Sequence, residues 1–92
     1  MRLANTDKAF HSEGPFEIIS LNGTLSRGGL HLHMAVADAN GTTWGGHLLD
    51  GNLIYTTCEL VLMEIPNVEF VREIDPQTGF LELTCRDLTL LP

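Results

Sequence analysis

The sequence predicts one small domain dominated by an antiparallel β-sheet, with little helix. Three observations carry this expectation. Apolar and polar residues alternate with period two along several short runs, the spacing of a strand with one buried face. Turn-forming pairs, among them Asn22-Gly23, Asn40-Gly41 and Gly51-Asn52, punctuate those runs. No stretch sustains the three- and four-residue apolar recurrence of an amphipathic helix. The 92 residues, 43% of them hydrophobic and 18% charged, fit a single globular domain over 1–92 with a modest core.

Taken in order, residues 15–26 alternate Phe16, Ile18 and Ser20 against Glu17, Ile19 and Leu21, then reach the turn pair Asn22-Gly23. Residues 30–38 alternate strictly, with Leu30, Leu32, Met34 and Val36 on one face and His31, His33, Ala35 and Ala37 on the other. Residues 42–50 form the next strand, closed by Gly51-Asn52. Residues 53–65 are the longest apolar stretch, rich in β-branched side chains, and read as a strand, with a helix over 57–65 as the alternative. Residues 68–75 alternate, 76–79 are a turn, and 80–90 alternate again. The charged outer face of 68–75 suits an edge strand. Five or six such strands make a sheet, a sandwich or a partial barrel.

Charge narrows the function classes. The net charge is −7, and the five basic residues, Arg2, Lys8, Arg27, Arg72 and Arg86, are dispersed. No basic cluster exists to neutralise nucleic-acid phosphates. Cys58 and Cys85 stand far apart and form no Cys-x-x-Cys pair, which suits buried, reduced thiols. The first ten residues contain no apolar signal core, and no apolar run approaches the ~20 residues of a membrane span, so a cytoplasmic location is expected.

Three of the four histidines, His31, His33 and His47, fall within 17 residues. His31 and His33 share a strand face. Whether His47 joins them depends on the Asp38-Ala39-Asn40-Gly41-Thr42 connection. A two-residue turn on Asn40-Gly41 sets Met34 opposite His47 and separates the imidazoles. A three-residue loop, with Gly41 left-handed, pairs Asp38 with Thr42 and therefore His33 with His47. Asp at the first turn position and Gly at the fourth favour the latter. Three imidazoles on one face suit Zn²⁺ or another divalent transition metal, with a fourth position left to water or ligand. Gly45 and Gly46 admit either a bulge or the close approach of a ligand or another backbone. Without metal, the same histidines form a hydrogen-bonded polar face or a subunit contact.

Glu59 interrupts an apolar run, and a carboxylate there needs a partner or solvent. It is a candidate fourth ligand, a partner that orients a ligating histidine, or a general base, with a salt-bridged interface residue as the structural alternative. His11 reads as a surface residue and Trp44 as a core or interface residue rather than a stacking platform. No catalytic residue is named by any nucleophile motif.

The chain resembles the PPC (plants and prokaryotes conserved) domain, found in bacterial proteins labelled as DNA-binding and in plant AT-hook nuclear proteins. The resemblance rests on residues 14–26, 31–62 and 72–83, with the ordered series G-P-F-E, H-x-H, G-G-H-L, T-T-x-E and T-G-F-x-E-L. It implies an α/β domain built on an antiparallel sheet, a homotrimer, and a metal held by His31, His33 and His47. In plant members the segment matching Gly14, Pro15, Phe16, Glu17, Ile18 and Ile19 contacts protein partners. Pro15 here replaces a basic residue of that motif. The AT-hook is absent. Family members carry a strand–helix–strand portion before the segment matching "MRLA", so the resemblance implies an N-terminally short form, natural or a fragment.

The reading that follows is an oligomeric metal- or ligand-binding module, transcription-related and acting mainly through protein partners, with DNA implied by the resemblance but not by charge. One alternative is a His₃ metal-dependent enzyme of hydrolase type, with Glu59 as base. Another is a cupin-like metalloprotein, although the glutamate that fold places shortly after its H-x-H is missing.

Overall fold

The computed structural model describes residues 1–90. Five strands follow one another: β1 (Glu17–Ser26), β2 (Gly29–Ala37), β3 (Thr43–His47), β4 (Val68–Ile74) and β5 (Leu81–Asp87). A single 3₁₀ turn at Leu88–Leu90 follows β5. Strands β1, β2 and β3 form one sheet in that order, and β4 and β5 form a second.

Among the described residues there is no α-helix, so the α/β label narrows to a sheet-dominated domain. The two small sheets also differ from the eight-stranded jelly roll that a cupin requires. Among the described residues no helix is long and apolar enough to cross a membrane.

The chain packs as two compact units. The first holds Met1–Thr24 and His31–Glu59. Its apolar centre lies on the sheet face opposite the histidines. Val36 is the buried residue there, and its register partner is Trp44. The Trp44 indole stacks on Phe10 with centroids 5.8 Å apart and meets the edge of Phe16 at 5.9 Å. Such pairs add roughly 0.5–1.5 kcal/mol beyond the area they bury.

The second unit holds Leu25–Leu30 and the residues from Leu60 onward, including the β4–β5 hairpin. Its turn forms where 76–79 predicts it. The Asp75 carbonyl accepts from Gly79 N at 2.7 Å, and the Asp75 carboxylate accepts from Gln77 N at 2.7 Å. Across the ladder Glu69 pairs with Arg86, whose guanidinium lies 3.6 Å from it and 3.8 Å from Glu73. These are exposed pairs of small energetic weight.

Two sequence expectations need correction. Asn22-Gly23 is not a turn but part of β1, and the chain reverses at Arg27-Gly28. Residues 53–65 form neither the strand nor the helix expected of them. They are irregular and mostly solvent-facing, with Leu53 93% and Val61 99% exposed. β-propensity expresses itself only against a partner strand, and among the described residues none pairs with this segment.

Candidate metal centre

The site begins with the turn between β2 and β3. Asp38 N donates to Thr42 O at 3.0 Å, and Gly41 N donates to Asp38 O at 3.0 Å. The Asp38 carboxylate accepts from Asn40 N at 2.9 Å and Thr42 N at 3.0 Å. Gly41 takes φ +80°, a left-handed backbone that glycine adopts without steric cost. This is the three-residue loop, and it sets the register in which His33 faces His47.

Hydrogen-bond phase then brings the rings close. His47 exchanges both of its backbone bonds with Arg2, donating to Arg2 O at 2.9 Å and accepting from Arg2 N at 2.8 Å. Its N–H and C=O therefore point away from β2, so His33 and His47 form a non-hydrogen-bonded pair. In such pairs the Cα atoms approach to about 4.5 Å and the side chains are nearest. His31, two residues before His33, adds the third ring on the same face. Ring centroids are 5.2 Å apart for His31–His33, 5.0 Å for His31–His47 and 5.7 Å for His33–His47.

Two glycines hold the flanking backbone tightly. A Cβ on Gly23 of β1 falls 2.0 Å from the His31 carbonyl oxygen. One on Gly46 falls 2.3 Å from the Arg2 carbonyl oxygen. Gly46 thus admits the backbone of Arg2 and Leu3, whereas a Cβ on Gly45 makes only ordinary contacts with Met34 and Ala35.

The donor set suits a divalent transition metal. One ligand nitrogen from each histidine lies within 4.8 Å of the others. A tetrahedral metal with 2.0–2.1 Å bonds needs about 3.3 Å between nitrogens, a difference that imidazole rotation spans. His31 and His47 are half-buried and His33 is exposed. Burial first, then the charges of Arg2, His33 and the chain's N-terminal ammonium, holds the His47 pKa below its ordinary 6.5. It is therefore neutral at physiological pH, the form that ligates.

The other predicted residues lie elsewhere. Glu59 is exposed, outside any strand and outside the cluster of ligand atoms. Within the Gly14–Ile19 segment, Phe16 packs on Trp44, while Ile18 and Ile19 are 39% and 59% exposed. Cys58 is half-buried and Cys85 exposed, both as free thiols. A shallow cleft lined by Glu13, Pro15, Phe16, Asp38 and Trp44 contains none of the three histidines. Sequence reasoning missed Arg2 and Gly23. A glycine inside an alternating run is a signal for close backbone approach, and Gly23 carried it. Arg2 had no such mark, because only the tertiary pairing places it beside His47.

A small antiparallel sheet presenting three imidazoles in one register defines a class of β-domain rather than an individual protein. The chain belongs to the Plants and Prokaryotes Conserved (PCC) domain family, whose match spans residues 2–66. It is 51% identical over 83 residues to the bifunctional protein GlmU of Synechococcus sp. (strain JA-3-3Ab), covering 90% of this chain. It is 58% identical over 67 residues to GlmU of Synechococcus sp. (strain JA-2-3B'a(2-13)), covering 73% of this chain. The chain spans only 13% and 11% of the length of those relatives. A solved structure of a hypothetical protein from Salmonella cholerae-suis (Salmonella enterica) shares the fold, with TM-score 0.90 and 42% identity. That match covers 94% of this chain and 62% of the Salmonella chain.

Proposed function

We propose that this chain is a metal-binding module of the PCC family, in which His31, His33 and His47 hold Zn²⁺ or another divalent transition metal. The observation that carries the reading is the convergence of the three ligand nitrogens within 4.8 Å on one sheet face. A metal bound there supplies Lewis acidity and one open coordination position. The exposed apolar side chains of 53–65, Leu53 and Val61 among them, support self-association, a homotrimer in this reading, because apolar surface left in water gains by burial between copies. The net charge of −7 favours action through protein partners over direct grip on DNA. The likeness to a small part of two proteins named bifunctional GlmU supports a module that serves within longer chains as well.

The test is metal analysis of untagged protein after zinc supplementation, set against His33→Ala. The expected result is about one metal per chain in the wild type, with affinity reduced at least about 100-fold in the variant. A wild-type chain that stays metal-free overturns the reading. Light scattering tests the trimer, and a clean monomer at micromolar concentration removes it. A His₃ hydrolase is less well supported, because Glu59, its candidate base, is not grouped with the histidines.

A further inference from the structure

Resting on that metal site, we propose that its open position takes an oxyanion, a carboxylate or phosphate group, and that Arg2 binds the anion's second oxygen. Arg2 and His47 are directly opposed, exchanging both backbone hydrogen bonds at 2.8 and 2.9 Å. Directly opposed residues of an antiparallel ladder project from the same face. His47 is in turn opposed to His33. Arg2, His47 and His33 therefore form one row across the sheet, with His31 beside it on the same face.

This placement is built into the backbone. Gly46 has no Cβ, and one there falls 2.3 Å from the Arg2 carbonyl oxygen, so a side chain at 46 displaces the Arg2 segment. The guanidinium itself is uncommitted. Arg2 is exposed, and among the described residues its guanidinium makes no ion pair with a carboxylate. In a chain with 12 acidic and five basic residues, a cation without an acidic partner beside three imidazoles calls for an explanation.

Charge balance provides one. Three neutral imidazoles leave both charges of a divalent metal uncompensated, and the cluster contains no carboxylate. Arg2, directly opposite His47 on the same face, adds a further positive charge there. A cation there opposes the metal unless an anion lies between them. An oxyanion satisfies both, one oxygen on the metal and another accepting from the guanidinium, whose planar fork matches carboxylate and phosphate geometry.

The experiment compares wild type, Arg2→Gln and Arg2→Lys, each loaded with Co²⁺ as a spectroscopic stand-in for Zn²⁺. Metal affinity is measured first. Inorganic phosphate and acetate are then titrated separately, following the visible Co²⁺ bands and heat. The expected result is that Arg2→Gln binds metal as well as wild type, or slightly better, while anion affinity falls at least about tenfold. Arg2→Lys keeps the charge but not the fork and falls between the two. The two titrations show which oxyanion the site prefers. If wild type takes up no metal, the metal reading fails and this inference with it. If metal binds but neither anion does, or the anions bind wild type and Arg2→Gln equally, the metal site stands and the role of Arg2 is refuted.

Discussion

Replacing Gly23 with alanine places a methyl group where the His31 carbonyl already stands. The new Cβ lies 2.0 Å from His31 O, 2.8 Å from the Leu32 Cα and 2.9 Å from the His31 carbonyl carbon, all backbone atoms that no rotamer change can move. Ordinary contact begins at 3.4 Å, so β1 and β2 must part locally by about 1.4 Å. A ladder bond of ~2.9 Å stretched by that amount is lost, at about 1 kcal/mol each. Overpacking adds roughly 1–3 kcal/mol. Gly23 also sits at φ +155°, and an L-residue at positive φ adds about 1 kcal/mol or more. A loss of at least about 3 kcal/mol follows, or at least about 12–24 °C in Tm for a domain of this size. Gly28→Ala is the control, since its Cβ meets only Ser26 Oγ at 3.6 Å. Urea unfolding and thermal melts of the two variants provide the assay, with metal titration of each as a second readout. Gly23→Ala is expected to weaken metal uptake because the carbonyl it displaces belongs to His31. Equal stability of the two variants, within about 0.5 kcal/mol, refutes the reasoning.

Asp38→Ala removes the acceptor for two backbone N–H groups of the β2–β3 turn and should cost about 1–2 kcal/mol. Asp38→Asn, which keeps an acceptor oxygen, should recover most of it, and identical melting of the two variants counts against the turn as the source of the register. The His47 pKa is lower in the folded chain than its ordinary 6.5. Its contribution to stability is therefore full above pH 6.5 and is lost as pH falls through the lowered folded value. Metal-free protein in chelator should thus melt progressively lower as it is acidified from neutrality. His47→Gln should show a shallower dependence, and an unchanged slope argues against His47 as the cause.

Much of the fold was legible because strand patterns are local. The alternation of 30–38 needed no partner to be read, and the β4–β5 turn announced itself in Pro76-Gln77-Thr78-Gly79. The site was legible for a related reason. Asp38 and Gly41 encode a turn type, the turn type encodes a register, and the register selects which histidines face each other. Residues 53–65 misled because strand propensity records suitability for a pleated surface without saying whether one is available. Asn22-Gly23 misled because the same dipeptide that favours a turn also serves a close strand approach, here against His31.

By itself, then, the sequence determined the alternation of β2, β4 and β5, the turn between β2 and β3, and the shared face of His31 and His33, all consequences of residue chemistry within a few positions. The tertiary structure decided what reaches that face from a distance. It brought the backbone of Arg2 against β3 through the space that Gly46 leaves open, and it pressed β1 onto His31 through Gly23. Those contacts join residues separated by many positions, and their only trace in the sequence is the absence of a side chain where two backbones meet.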